Sequence, residues 1–130
     1  MKKTLFAIVA LLLVGTMSVF AQAPLSAKGN VVVDGKMDGF ILGSGSGSRS
    51  NSTYVAFPSK FAAPPNVIIT LTGFSAAAGK DGNVNLGVSA ENVTTDGFNV
   101  KANTWGDTRV SAVYATWVAV AAKAPEAKKK

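Results

Sequence analysis

The chain contains no cysteine and no histidine. The first absence excludes disulfides, on which small exported domains often rely. Together the two absences remove the usual zinc ligands, the thiol nucleophile and the commonest general base. Carboxylate oxygens are the only remaining metal ligands, and no dense acidic loop gathers them. Acids are scarce as well, seven in 130 residues. Asp34, Asp38, Asp81, Asp96 and Asp107 stand in turn-like contexts, where Asp bonding to its own backbone explains them. An enzyme, a metal site and a cofactor are therefore not expected. The body also lacks apolar residues at the helical i, i+3, i+4, i+7 spacing, which argues against an α-fold.

A long apolar run occurs once, at the N-terminus. Lys2 and Lys3 precede apolar residues 4–20, and Ala21-Gln22-Ala23 follows as a small-x-small site. This three-part pattern reads as a secretory signal peptide over residues 1–23, giving a secreted or periplasmic protein that starts at Pro24. The Lys-Lys start has a bacterial character. No second run of that kind follows, so no integral membrane span is expected after processing. Residues 24–122 form one domain. Residues 123–130, Lys-Ala-Pro-Glu-Ala-Lys-Lys-Lys, are too polar to pack and are expected to be a disordered basic tail.

The formal charge of +6 is concentrated at the ends. Removing Lys2 and Lys3 leaves +4; four tail lysines against Glu126 account for +3 of that, so the body is near +1. A nucleic-acid face needs clustered cations on the folded surface, and this charge distribution supplies none.

The body instead shows short β-rich runs between turn residues, the all-β pattern. Six are visible: residues 30–37, 53–57, 66–74, 84–93, 97–105 and 110–121. Six such runs predict an antiparallel β-sandwich. Lys80-Asp81-Gly82 and Asp96-Gly97 mark turns, and the Gly/Ser run 43–48 reads as a flexible surface loop. Alternation assigns faces. Val67, Ile69 and Leu71 share one side of the third strand. In the fifth, Phe98, Val100 and Ala102 point to the core, while Asn99, Lys101 and Asn103 point out; Trp105 continues that outward face at a strand end, where alternation leaves it either exposed or tucked onto the sandwich rim as packing. The sixth strand is apolar on both sides, so its outer side is expected to be covered, either by loops over a central strand or by another subunit.

Two segments carry a resemblance. Phe57-Pro58-Ser59-Lys60-Phe61-Ala62-Ala63-Pro64-Pro65-Asn66-Val67 is one; Asn85-Leu86-Gly87-Val88, Asp96-Gly97-Phe98, Thr104-Trp105-Gly106-Asp107-Thr108 and Thr116-Trp117 follow in order as the other. This pattern resembles the H-type lectin family, over about residues 31–121. The resemblance implies a six-stranded antiparallel sandwich and a trimer, in some members doubled to a hexamer. It also implies glycan partners of galactose or N-acetylgalactosamine type, bound in clefts at subunit borders.

Residue by residue, the resemblance implies that Trp105 is the ring that packs on the sugar and that Asn85 is the asparagine beside it. The family's arginine falls at Gly87, its histidine at Gly106, and its acidic loop contact near Ser46. The stacking ring is thus kept and three polar contacts are replaced. Asp107, Asn103 and Arg109 stand close enough in sequence to supply others. Two function classes follow: a multivalent lectin, or a structural or adhesive module of the same fold without sugar binding. The replaced positions separate the two, because hydroxyl recognition needs directed donors and acceptors.

Overall fold

The computed structural model describes residues 22–123. The leader expected over residues 1–23 lies outside the described residues except for Gln22 and Ala23, and so does the tail beyond Lys123. The described residues form six antiparallel strands and no helix: β1 (Ser26–Asp34), β2 (Arg49–Ala56), β3 (Asn66–Ala77), β4 (Leu86–Glu91), β5 (Gly97–Thr104) and β6 (Arg109–Val120). They make two three-stranded sheets, ordered β1-β6-β3 and β2-β5-β4. Consecutive strands β5 and β6 are therefore the central strands of opposite sheets.

The strand count matches the sequence pattern; several boundaries move, each for a physical reason. β1 starts at Ser26 and ends at Asp34, pairing Ser26 with Val120 and Asp34 with Ala112. The stretch after it is a turn, where Asp34 Oδ1 accepts a hydrogen bond from Lys36 N (3.0 Å). β2 gains the polar residues from Arg49 onward because they complete the ladder to β5, up to Arg49 opposite Thr104. β4 is shorter than expected. Asn85 lies outside the strand, its backbone bonded to Thr104 and Thr108 side chains. At the other end Asn92 has φ 51°, which terminates the strand. β3 carries register shifts between Leu71 and Gly73 and between Ser75 and Ala76. Val67 and Ile69 pack on the core as alternation predicts, but Leu71, beside the first shift on this edge strand, remains 37% exposed.

The two sheets share no ladder, and side chains join them. Phe98 of β5 and Trp117 of β6 meet edge to face with centroids 5.4 Å apart. Phe57, just past β2, lies 5.5 Å from Phe98 and 5.8 Å from Trp117, and Phe61 packs edge-on to Phe57 at 4.9 Å. Val33, Leu42, Val100, Ala102, Val110, Val113 and Ala119 fill the space around them. Trp117 fits because its ladder partner is Gly29. A Cβ on Gly29 would stand 2.7 Å from the indole carbon Cζ2. On the other side of β6, Tyr114, Val118 and Val120 are exposed. Val32 and Ile68 pair with Tyr114 and Val118, so they extend the same apolar surface across all three strands.

Gly29→Val raises β propensity but must displace a buried ring. The expected net result is a loss of about 1–3 kcal/mol. Denaturant unfolding checks this; an unchanged or higher midpoint contradicts the proposed seat for Trp117.

Candidate functional site

The site end of the sandwich is dictated by topology. The chain leaves β5 at Thr104 and re-enters a strand at Arg109, and it must cross between two sheets that lie about 10 Å apart. The connection is Trp105-Gly106-Asp107-Thr108. Gly106 takes φ 65°, a conformation open to glycine, and makes the corner. Trp105 continues the outward alternation of Asn99, Lys101 and Asn103. The corner turns the chain away immediately after it, and the indole is left 45% exposed.

Two threonines bracket the corner, and both are fully buried. Thr104 Oγ1 donates to the carbonyl of Asn85 (2.6 Å). Thr108 Oγ1 accepts from Asn85 N (3.0 Å) and donates to the carbonyl of Asn83 (3.2 Å). Asn85 Nδ2 in turn donates to the carbonyl of Trp105 (3.3 Å). The two inward hydroxyls are thereby satisfied, and Asn85 is fastened to both ends of the corner. On the adjoining turn the Asp81 carboxylate accepts from Asn83 Nδ2 (2.8 Å) and Asn83 N (3.0 Å). Those bonds, the side-chain one first, hold its carboxyl below the usual pKa range.

The structure brings Trp105, Asn85 and Gly106 together: a Cβ on Gly106 would stand 3.2 Å from Asn85 Nδ2. Gly87 lies on the same outward face, opposite Asn103 in the ladder. A Cβ there would be 2.6 Å from Asn103 Oδ1, so the Asn103 amide occupies the space that a longer side chain at Gly87 would need. Ser46 and Asp107 lie on a neighbouring groove of about 480 Å³, which Lys80, Arg109, Gly45, Ala77 and Ala78 also line. The two halves connect through the Gly/Ser loop. Gly47 N donates to the carbonyl of Gly106 (3.0 Å), and Gly45 and Gly47 have φ 77° and 80°. Beneath that loop Arg49 donates from Nη2 to the carbonyl of Thr108.

Sequence reasoning passed over Thr104, Thr108, Arg49 and Lys80. Alternation places Thr104 inward but does not reveal its bonding partner. Lys80 reads as part of a turn until the fold sets that turn beside Asp107. Arg49 falls between the Gly/Ser run 43–48 and the strand expected over 53–57, with no pattern of its own.

The sequence model of the H-type lectin domain matches residues 52–120. A Fuscovulum blasticum protein described as ATP synthase subunits region ORF 7 is 35% identical over 83 residues, covering 64% of this chain and 70% of that protein. Among solved structures, recombinant discoidin II of Dictyostelium discoideum is 32% identical with a TM-score of 0.67, covering 74% of this chain and 36% of that one. Wild-type discoidin II of the same organism is 29% identical with a TM-score of 0.65, covering 78% and 38%. The chain thus spans little more than a third of the discoidin II chains. The matched segment contains Asn85, Gly87, Trp105, Gly106 and Asp107; Ser46 precedes it.

Thr108→Val keeps the shape and removes the hydroxyl. The amide of Asn85 then loses its acceptor, and the expected loss is about 1–3 kcal/mol of stability. Hydrogen exchange should accelerate at Asn85 more than at mid-strand positions of β5. Unchanged exchange at Asn85 contradicts the clamp.

Proposed function

Because this chain belongs to the H-type lectin domain family, we propose that it is an exported carbohydrate-binding protein that recognises galactose-type glycans multivalently. The observation that carries the reading is Trp105: a half-exposed indole at a sandwich end, on a main chain whose carbonyl Asn85 Nδ2 bonds, beside a polar groove. An apolar ring meets the C–H face of a sugar, and surrounding polar groups bond its hydroxyls. Here the polar set is Asn85, Asn103, Asp107 and Ser46. Gly106 leaves room for the Asn85 amide, which a Cβ there would meet at 3.2 Å. Asn103 stands where a side chain at Gly87 would go, so hydroxyl selection differs from a site with an arginine there.

Export rests on residues 1–23 acting as a signal peptide, with residues 24–122 as the domain and 123–130 as a basic tail. The start of β1 at Ser26, just past Ala23, is consistent with that division. Assembly rests on the exposed apolar surface of Val32, Ile68, Tyr114, Val118 and Val120. A closed trimer, or a hexamer built from two, covers the same patch on every subunit. A single site then binds weakly, at about −4 to −5 kcal/mol, and several on one assembly convert later contacts into local ones. Adhesion to glycosylated surfaces is the role that such an arrangement serves. The competing reading, a structural module of the same fold, is favoured by the three replaced polar positions, Ser46, Gly87 and Gly106.

A glycan array with the mature protein and Trp105→Ala separates the readings. The expected outcome is binding to clustered galactose-type glycans, lost in the variant, with both proteins trimeric by light scattering. Wild-type silence across the array selects the structural module. An unfolded Trp105→Ala shows the ring to be packing.

A further inference from the structure

Most charges in the described body are paired or isolated. Lys101 pairs with Glu91 at 3.2 Å and Lys60 with Asp96 at 3.7 Å. The groove beside Trp105 is different. Lys80 and Arg109 both line it, and neither has a carboxylate partner among the described residues. Beneath its Gly/Ser wall lies a third cation. Arg49 bonds the carbonyl of Thr108 through Nη2, while its Nε and Nη1 are buried without partners. A Cβ on Gly45 would sit 3.7 Å from that Nη1, so Gly45, which lines the groove, lies against the guanidinium. The opposing acids are Asp107 in the lining and Asp81. Asp81 lies beside Gly79, its carboxylate already bonded by Asn83. The excess charge is positive, and part of it is poorly hydrated, where attraction for an anion is strongest.

Resting on the carbohydrate-binding reading, we infer that this groove receives the acidic group of an anionic saccharide, a sugar bearing a carboxylate or a sulfate. The volume of about 480 Å³ is within the range of small-molecule sites. The link from Gly47 to Gly106 fixes the groove beside the corner that presents Trp105. Asp107, two residues past Trp105, lines the groove, so a saccharide that extends from the indole past Asp107 meets Lys80 and Arg109. Charge-assisted bonds from those two hold the anion. Asp107 and the Ser46 hydroxyl accept from the sugar hydroxyls, which keeps the groove selective for a saccharide over a bare anion.

The test is calorimetric titration of the mature protein with matched pairs: galactose against galacturonic acid, and lactose against sulfated lactose. The acidic member of at least one pair should bind about tenfold more tightly at low salt, with the gain shrinking as salt rises. Which pair shows the gain identifies the group as carboxylate or sulfate. Lys80→Gln should remove most of the gain and leave the affinity for the neutral member unchanged. Binding of neutral members with no gain from either acid overturns this inference and leaves the lectin reading standing. So does a gain that survives both Lys80→Gln and Arg109→Gln. Silence of every sugar overturns both.

Discussion

The contact between Phe98 and Trp117, wedged by Phe57, joins two sheets that share no backbone ladder. It sets β5 directly against β6, the central strands of the two layers. Gly29 makes room for the larger ring, and small residues such as Ala102 and Ala119 fill the flanks. With the two central strands consecutive in sequence, a connection of four residues must turn sharply at one end of the sandwich. The exposed tryptophan follows from that geometry: the residue that would continue β5 outward is stranded at the corner.

A corner of this kind is vulnerable, because its backbone groups lie where neither sheet can bond them. Asn85 Nδ2 bonds the carbonyl of Trp105, Gly47 N that of Gly106 and Arg49 Nη2 that of Thr108, while two hydroxyls tie the corner's ends to the neighbouring segment. Thr104 and Thr108 point inward, where apolar side chains would ordinarily pack, and reach across to the segment before β4. The inward face thereby holds the outward site: the same pair that satisfies Asn85 keeps Trp105, Gly106 and Asp107 at fixed spacing. The Gly/Ser loop closes over this end through one bond to Gly106 and roofs Arg49. Ring, polar rim and cationic groove are three consequences of one crossing.

Much of this was legible in the sequence. Strand number and the division of β5 into core-facing Phe98, Val100 and Ala102 and outward Asn99, Lys101 and Asn103 follow from period-two alternation; the exposure of Trp105 needed the family resemblance as well. The apolar outer side of β6 was legible from alternation alone. What alternation does not carry was missed. The register shifts in β3 left Leu71 half in solvent. The bonds of the threonines join residues about twenty positions apart and leave no local pattern. Asn103 lying over Gly87 depends on which residues the ladder sets opposite each other. The groove was visible only in part. Ser46 and Asp107 were candidates through family resemblance and proximity, whereas Lys80 reaches the groove and Arg49 lies beneath its wall through a turn and a loop brought together by the fold.

The central claim is that the two tryptophans have opposite duties, Trp117 at 4% exposure joining the sheets and Trp105 at 45% meeting ligand. Two-dimensional NMR of ¹⁵N-labelled protein resolves both indole N–H groups. The account predicts that adding a galactose-type glycan shifts the Trp105 indole resonance progressively and leaves that of Trp117 in place. A titration that leaves Trp105 fixed while main-chain signals elsewhere respond would contradict it.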